Sequence, residues 1–269
     1  MIEYRHVSKS FTHGALAVQD FSLVIPSGSI TVLVGSSGCG KTTLLRMVNR
    51  MVEPTTGQVL IDNQQVIDRD PVELRRSIGY VMQSGGLLPH KTVSENIQTV
   101  SRLIGVPKEE ASARATELMD LVGLDRDLAS RYPHQLSGGQ QQRVGVARAL
   151  AVNPNILLMD EPFAAVDPLV RRDLQRELIE LQSTLHKTVL FVTHDIDEAF
   201  LVGDQMVILR EGAEIAQQGT PEEIISSPAS DFVADFVGHT TASRELRRSS
   251  RDTSLIVDGE GRIQGRLEG

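Results

Sequence analysis

The sequence predicts an α/β fold with a mostly parallel central sheet, an antiparallel β region at the N-terminus and an inserted helical region. Short apolar runs suited to buried strands alternate with helical patterns, which is the arrangement of a parallel sheet with helices on its faces. Residues Ile2, Tyr4 and Val7 alternate with polar residues, as half-buried strands do. Residues 90 to 150 hold helical patterns and no convincing strand, so we expect a helical insertion there.

Composition limits the classes of protein to consider. The 269 residues are enough for one large domain with a small tail, and 40% of them are hydrophobic. A net charge of −8 argues against general nucleic-acid binding, which requires clustered cations. The single cysteine, Cys39, allows no intrachain disulfide and fits a reducing compartment. No apolar stretch approaches the roughly 18–20 residues of a membrane span. We therefore expect a cytoplasmic chain that meets a membrane only through a partner.

A glycine-rich segment separates the apolar run 30–34 from the helical pattern 44–51. Its residues are Gly35, Ser36, Ser37, Gly38, Cys39, Gly40, Lys41, Thr42 and Thr43. Such glycines let backbone N–H groups turn inward around an anion, at the N-terminus of a helix whose dipole favours it. Lys41 can then reach the outer phosphates, and the Thr42 hydroxyl can ligate Mg²⁺. A chance glycine-rich turn is the alternative, but the strand and helix around it predict binding of a nucleoside triphosphate.

Two carboxylates, Asp160 and Glu161, directly follow the apolar run 156–159. Ligands of open parallel sheets collect at the carboxyl ends of the strands, so both should face the glycine-rich loop. We expect Asp160 to hold Mg²⁺ as the acidic partner of Thr42. Glu161 would orient or deprotonate the attacking water. The alternative is a polar strand end before Pro162.

A second candidate anion site opens the helical pattern 140–152. Its residues are Ser137, Gly138, Gly139 and Gln140, preceded by Leu136. A hydroxyl and glycine N–H groups at a helix start can bind an anion, although a simple N-cap by Ser137 explains them too.

Segment 136–140, with segments 35–43 and 156–162, resembles the ATP-binding cassette family, the nucleotide-hydrolysing subunits of ABC transporters. The similarity covers about residues 1–238. It implies one ATP-binding domain over 1–238, with its helical subdomain at about 90–150, that binds ATP and Mg²⁺ and hydrolyses ATP.

The resemblance implies roles for four further residues. Gln83 matches the glutamine that contacts Mg²⁺ and the attacking water, and His194 matches the histidine that contacts the terminal phosphate. Asp167, before Pro168, matches the family's D-loop aspartate, and it also suits a helix N-cap. Phe11 matches the aromatic residue that stacks on adenine, or else it belongs to the core.

The family also implies an assembly. Segment 136–140 of one chain would close on the phosphate loop of a second copy, so that ATP joins a head-to-tail dimer. Transmembrane permease subunits, and indirectly a substrate-binding protein, would be further partners. The chain would then be peripheral on the inner face of the cell membrane and would bind no nucleic acid.

Segments 49–54, 70–76 and 87–90 resemble the osmoprotectant branch of the family, which imports glycine betaine, proline betaine, choline or carnitine. Import of another solute, such as amino acids, is the alternative. A soluble cassette for DNA repair or translation is less consistent, because there are no sustained heptads and only one phosphate loop. A kinase or GTPase agrees with the sequence less well still. The Asn-Lys-x-Asp string that normally recognises guanine does not occur.

Residues 239–269 are mostly polar and lack apolar periodicity, which predicts a linker. Segment 254–263 resembles the opening hairpin of a cystathionine-β-synthase-type sensor module, either truncated or reduced.

Overall fold

In a computed structural model, residues 1–11, 16–83, 86–164 and 166–241 are described, together with three short strands beyond them. The strands, in chain order, are β1 (Ile2–Ser10), β2 (Leu16–Ile25), β3 (Ile30–Gly35), β4 (Thr56–Ile61), β5 (Gln64–Gln65), β6 (Ile78–Val81), β7 (Ile156–Asp160), β8 (Thr188–Thr193), β9 (Gln205–Leu209), β10 (Ile215–Gly219), β11 (Arg247–Arg248), β12 (Leu255–Val257) and β13 (Ile263–Arg266). The helices are α1 (Lys41–Val48), α2 (Pro71–Ser77), α3 (Val93–Ile97), α4 (Thr99–Leu103), α5 (Lys108–Leu121), α6 (Gly138–Leu150), α7 (Pro168–Leu185), α8 (Ile196–Val202), α9 (Pro221–Ser226) and α10 (Asp231–Thr241).

The central sheet has the strand order β10-β9-β3-β8-β7-β6. Its five strands from β9 to β6 run parallel, and only β10 is antiparallel, paired with β9. A separate N-terminal sheet has the order β2-β1-β4-β5 and is antiparallel throughout. The predicted fold class is confirmed.

Both faces of the central sheet are covered, which explains why β3 is apolar apart from Thr31. Every residue of β3 is buried. Val32 and Val34 pack into the layer that includes α5, α6 and α7, whereas Leu33 packs into the layer shared with α1 and the N-terminal sheet. A strand buried on both faces has no polar side to alternate with.

The helical region lies between β6 and β7. Among the described residues from 86 to 155, the chain forms α3 to α6 with short 3₁₀ turns and no strand, as expected. Within the helical pattern predicted over 90–150, residues 93–103 form two short helices, α3 and α4, that meet at Gln98. The backbone of Gln98 is itself right-handed helical, with φ −69° and ψ −13°, so the chain direction continues across the break. That this region is a helical subdomain of one ATP-binding domain remains a prediction.

Beyond α10, the strands β11, β12 and β13 form a small antiparallel sheet. Of the hairpin expected over 254–263, the structure shows the antiparallel pairing of β12 with β13. Its turn, residues 258–262, lies outside the described residues, and assignment to a sensor module stays a prediction.

Candidate functional site

The glycine-rich loop connects β3 to α1, as the sequence predicts. Gly40 has φ +114°, and a Cβ there would lie 2.5 Å from the carbonyl oxygen of Ala17. Gly35 has φ in the ordinary range, but a Cβ there would lie 2.4 Å from the carbonyl oxygen of Leu209. Any larger residue at either position would therefore displace a neighbouring strand or turn, because those contacts are to backbone.

The ammonium group of Lys41 is buried in this loop, and the residue is only 4% exposed. Nζ donates hydrogen bonds to the carbonyl oxygens of Gly35 at 2.7 Å and Ser36 at 2.8 Å. Within the described part of the chain, no carboxylate lies within ion-pair distance of this ammonium. Nζ also lies 3.7 Å from Sγ of Cys39. A buried cation with no carboxylate among its partners is poorly compensated, so an anion bound in the loop would be strongly favoured.

The side chain of Cys39 turns away from the loop surface into the core. It is 1% exposed and belongs to the apolar layer beneath α1. Cys39 can therefore contact a bound anion only through its backbone, although its Sγ lies 3.7 Å from Nζ of Lys41.

Asp160 ends β7 and faces the loop. Its Oδ1 accepts a hydrogen bond of 2.8 Å from the hydroxyl of Thr42, the second residue of α1, and Asp160 is 7% exposed. A carboxylate and a hydroxyl at this separation, next to a loop suited to phosphates, form the oxygen donor set that Mg²⁺ prefers. The residues present fit this metal.

Side chains that follow three neighbouring strands meet at Glu161, which itself follows β7. Its Oε2 accepts a hydrogen bond of 3.0 Å from Nε2 of Gln83, which follows β6. The same oxygen lies 3.2 Å from Nδ1 of His194, which follows β8. The backbone of Glu161 has φ +45°, a left-handed conformation that costs energy for a residue with a Cβ. The structure thus brings the three expected catalytic residues to one carboxylate oxygen.

Residues 137–140 begin α6 in a capping box. The amide of Gln140 donates to Oγ of Ser137 at 3.2 Å, and Oε1 of Gln140 accepts from the amide of Ser137 at 2.9 Å. Ser137 and Gly138 are exposed. Among the described residues, no hydrogen bond or ion pair joins this segment to the glycine-rich loop. Within one chain the two candidate anion sites are therefore not linked.

Asp167 caps a helix, whereas Phe11 lies on the surface. Oδ1 of Asp167 accepts from the amide of Val170 at 3.1 Å, with Pro168 first in α7, so the expected N-cap is confirmed. Phe11 is 44% exposed, which excludes the core alternative, and Nζ of Lys9 lies 5.2 Å from its ring centroid. Adenine stacking on Phe11 stays a prediction.

Sequence reasoning missed two residues at Asp160. The hydroxyl of Tyr80 donates to Oδ2 at 3.2 Å, and a guanidinium nitrogen of Arg46 lies 3.7 Å from the same oxygen. Burial raises the pKa of the Tyr80 hydroxyl above its ordinary value of 10. One signal existed: a tyrosine in an otherwise apolar strand needs a partner for its hydroxyl.

The fold and the loop define an α/β protein of the phosphate-loop class. A family model described as ABC transporter matches residues 18–164. The chain belongs to the ABC transporter family, which confirms the resemblance seen in the sequence.

Three known proteins illustrate the similarity. The choline transport ATP-binding protein OpuBA of Bacillus subtilis is 48% identical over 95% of this chain and 66% of its own length. The glycine betaine uptake system ATP-binding protein YehX of Escherichia coli is 47% identical over 98% of this chain and 85% of its own length. A dimeric post-hydrolysis structure of the ATP-binding cassette MJ0796 with ADP and Pi has a TM-score of 0.73 and 36% identity, over 82% of this chain and 99% of that one.

This chain spans less than two thirds of the length of the first relatives, at 66% of OpuBA and 62% of the B. subtilis glycine betaine/carnitine/choline protein OpuCA.

Among the described residues, no helix is both long enough and apolar enough to cross a membrane.

Proposed function

We propose that this chain is the ATP-hydrolysing subunit of an ABC importer that takes up an osmoprotectant of the quaternary-amine type. The single observation that supports nucleotide binding most directly is the buried ammonium of Lys41, which contacts loop carbonyls and no carboxylate of the described chain. The triphosphate of ATP would supply the missing negative charge, with the glycine-rich loop and the N-terminus of α1 donating N–H groups to it. Phe11 would stack on the adenine.

Thr42, Asp160 and Gln83 would hold Mg²⁺. When bound, this ion neutralises charge on the phosphate oxygens during transfer. Thr42 and Asp160 already meet at 2.8 Å, so little rearrangement of side chains is needed to offer their oxygens together. Lys41 would leave its carbonyl partners and contact the outer phosphates.

In ATP hydrolysis, the carboxylate of Glu161 would act as the general base. A water placed against Glu161 would lose a proton to it as the water oxygen bonds to the γ-phosphorus and the bond to the bridging oxygen of ADP breaks. Gln83 and His194 now contact Oε2 of Glu161. In the ATP state they would help to orient the water and contact the γ-phosphate.

A second copy of the chain would complete each site. Ser137, Gly138, Gly139 and Gln140 of one copy, together with Asp167, would contact the ATP held by the loop of the other. The separation of segment 137–140 from the loop within one chain supports this arrangement, as do the dimeric structures of the cassette MJ0796.

The transport role rests on the relatives. Their names refer to transport of choline, carnitine, glycine betaine or proline betaine. We infer that transmembrane permease subunits bind the dimer at the inner face of the cell membrane, and that a substrate-binding protein delivers the solute. An importer of another solute, such as amino acids, is the second candidate.

Replacement of the proposed base tests the enzymatic part. Glu161→Gln should lower kcat for ATP about 100-fold or more, since general base catalysis typically contributes 10²- to 10⁴-fold, while ATP still binds and the variant accumulates as a dimer. Glu180→Gln, on the exposed face of α7, is the matched control. Normal hydrolysis by the Glu161→Gln protein would contradict the assignment.

The transport part needs a separate experiment. The chain would be expressed with candidate permease and binding-protein subunits, and uptake of labelled glycine betaine, choline and an amino acid would be compared in vesicles. We expect ATP-dependent uptake of the quaternary amines only. Uptake of the amino acid alone would favour the second candidate.

A further inference from the structure

The two oxygens of the Asp160 carboxylate are held by different partners. Oδ1 accepts from the hydroxyl of Thr42 at 2.8 Å. Oδ2 accepts from the hydroxyl of Tyr80 at 3.2 Å and lies 3.7 Å from a guanidinium nitrogen of Arg46. Both oxygens of a largely buried carboxylate are thus occupied by side chains, and each points toward a fixed element of the fold.

The sheet register explains why Tyr80 reaches this oxygen. Strands β6 and β7 are parallel, and Tyr80 pairs with Leu158. Side chains alternate along a strand, so Leu158 and Asp160 lie on the same face of the sheet, and Tyr80 shares it. That face packs in the apolar layer with α1, and Tyr80 is partly buried against this layer.

Helix α1 supplies the other two contacts. Thr42 and Arg46 are four residues apart, so they lie on one face of the helix, one turn from each other. Thr42 meets Oδ1 and Arg46 approaches Oδ2. Arg46 is half exposed, whereas Tyr80 is part of the packed layer. Two elements, β6 and α1, therefore fix the carboxylate that ends a third, β7.

The torsion that rotates a carboxylate is soft and roughly two-fold. An aspartate held at one oxygen only can pivot, and the partner groups of a metal-binding carboxylate orient it and tune its affinity. We propose that Tyr80, supported by Arg46, is a positioning residue that holds Oδ2 of Asp160 so that the carboxylate is presented correctly to Mg²⁺. This inference rests on the proposed function, because it takes Asp160 as a residue that binds the metal.

Metal affinity tests the proposal without relying on turnover. Mn²⁺, as a paramagnetic substitute for Mg²⁺, would be titrated into the full chain with ADP and free ion measured by electron paramagnetic resonance. Tyr80→Phe removes one hydroxyl and should weaken Mn²⁺ binding about tenfold, in the range typical of lost outer partners. ADP affinity without metal should stay within twofold of the original.

Tyr4→Phe is the matched control. Tyr4 is a buried tyrosine whose hydroxyl donates to the carbonyl of Leu44 in α1 at 2.9 Å, so the change removes an equivalent bond beside the same helix but not at Asp160. Mn²⁺ affinity should be unchanged. Steady-state kinetics add a second measurement: the Mg²⁺ concentration for half-maximal rate should rise in Tyr80→Phe, and excess Mg²⁺ should restore kcat.

Arg46 provides a test that is independent of folding, since its side chain is about half exposed. Arg46→Gln should weaken Mn²⁺ binding about threefold, and Arg46→Lys should restore part of the loss. Arg114→Gln, which breaks the exposed pair with Glu117 on α5, should have no effect.

Asp160→Asn separates the two hypotheses. If Asp160→Asn leaves Mn²⁺ affinity unchanged, the assignment of the metal to Asp160 in the proposed function fails. If Asp160→Asn weakens the affinity strongly while Tyr80→Phe behaves like Tyr4→Phe, the metal assignment stands and the positioning role of Tyr80 is overturned.

Discussion

The hydroxyl of Thr42 donates a 2.8 Å hydrogen bond to Oδ1 of Asp160, across 118 positions of sequence. This bond joins the first turn of α1 to the carboxyl end of β7. The hydroxyl–carboxylate pair that we assign to a metal thus includes the residue that directly follows Lys41, whose ammonium is buried in the glycine-rich loop. Charge neutralisation and metal binding are therefore expected to depend on one short stretch of α1.

Replacing Thr42 with valine keeps the shape of the side chain and removes the hydroxyl. We expect MgATP hydrolysis to fall about 100-fold, because loss of a metal partner typically costs 10- to 100-fold, while folding is retained. The measurement is ATPase rate against Mg²⁺ concentration. Thr116→Val is the control, since that hydroxyl bonds only a backbone carbonyl on the exposed side of α5. A Mg²⁺ dependence identical to the unchanged protein would contradict the role of Thr42.

The two capping boxes on α6 and α9 allow a matched test of the dimer. Ser137 and Thr220 each accept a hydrogen bond of 3.2 Å from the third residue of their helix. Replacing either with alanine should cost about 1 kcal/mol of stability. Only Ser137→Ala should weaken ATP-dependent dimerisation, by about tenfold, because only that cap is proposed to contact ATP on the partner copy.

Dimerisation would be measured by light scattering with MgATP in the Glu161→Gln background. Equal dimer affinity in Ser137→Ala and Thr220→Ala proteins would limit Ser137 to helix capping. A loss in both would indicate that stability, and not nucleotide contact, controls assembly.

The fold could be predicted largely from the sequence because its strongest signals are local. The apolar runs of β7 and β8, and that of β3 with Thr31 as its one polar residue, require burial on both faces. The alternation of β1 and β2 requires a half-exposed sheet. The break at Gln98 could not be predicted, because its backbone remains helical and no proline or glycine marks it.

The candidate site could be predicted only in part, for a related reason. Glycines, lysine and paired carboxylates at strand ends are recognisable one segment at a time. The contact of Tyr80 with Asp160 depends on the pairing of β6 with β7, strands that are more than 70 residues apart in sequence. Register between such strands is set by packing of the whole sheet, so no local pattern reveals it.

Glu198 gives a pH-dependent prediction. Burial raises the pKa of this carboxyl above 4.5, and the charge of Asp195 raises it further, whereas hydrogen bonds from Thr193 and Gln175 and the charge of Arg171 lower it. The folded state therefore binds the proton more tightly than the unfolded state. The resulting stabilisation is complete below about pH 4.5 and is lost as pH rises through the raised pKa.

Glu198→Gln cannot ionise, so its stability relative to the unchanged protein should increase from pH 4.5 to pH 7.5. Thermal unfolding across that range is the measurement. Glu180→Gln, on the exposed face of α7, should show no such trend. A stability difference for Glu198→Gln that is constant with pH would show that the carboxyl titrates alike in both states.

Thr31 in β3 is expected to be a stabilising site. It is 1% exposed, and within the described part of the chain its hydroxyl has no hydrogen-bond partner. Leaving a hydroxyl buried and unpaired costs about 1–3 kcal/mol, and valine has the same shape and a strong preference for strands. Thr31→Val should therefore raise the free energy of unfolding by about 1 kcal/mol, or the melting temperature by about 2–4 °C.

Thr193, at the end of neighbouring β8, is buried like Thr31, but its hydroxyl has a hydrogen-bond partner. It is 2% exposed, and its hydroxyl accepts a 3.0 Å hydrogen bond from the amide of Asp195. Thr193→Val should lower stability by about 1 kcal/mol, because that amide loses its partner. Thr193→Val also removes the hydrogen bond of this hydroxyl to Glu198, so chemical denaturation of both variants compares a hydroxyl with two partners against an unpaired one. If both variants are destabilised equally, then a bonding partner of Thr31 is present in solution.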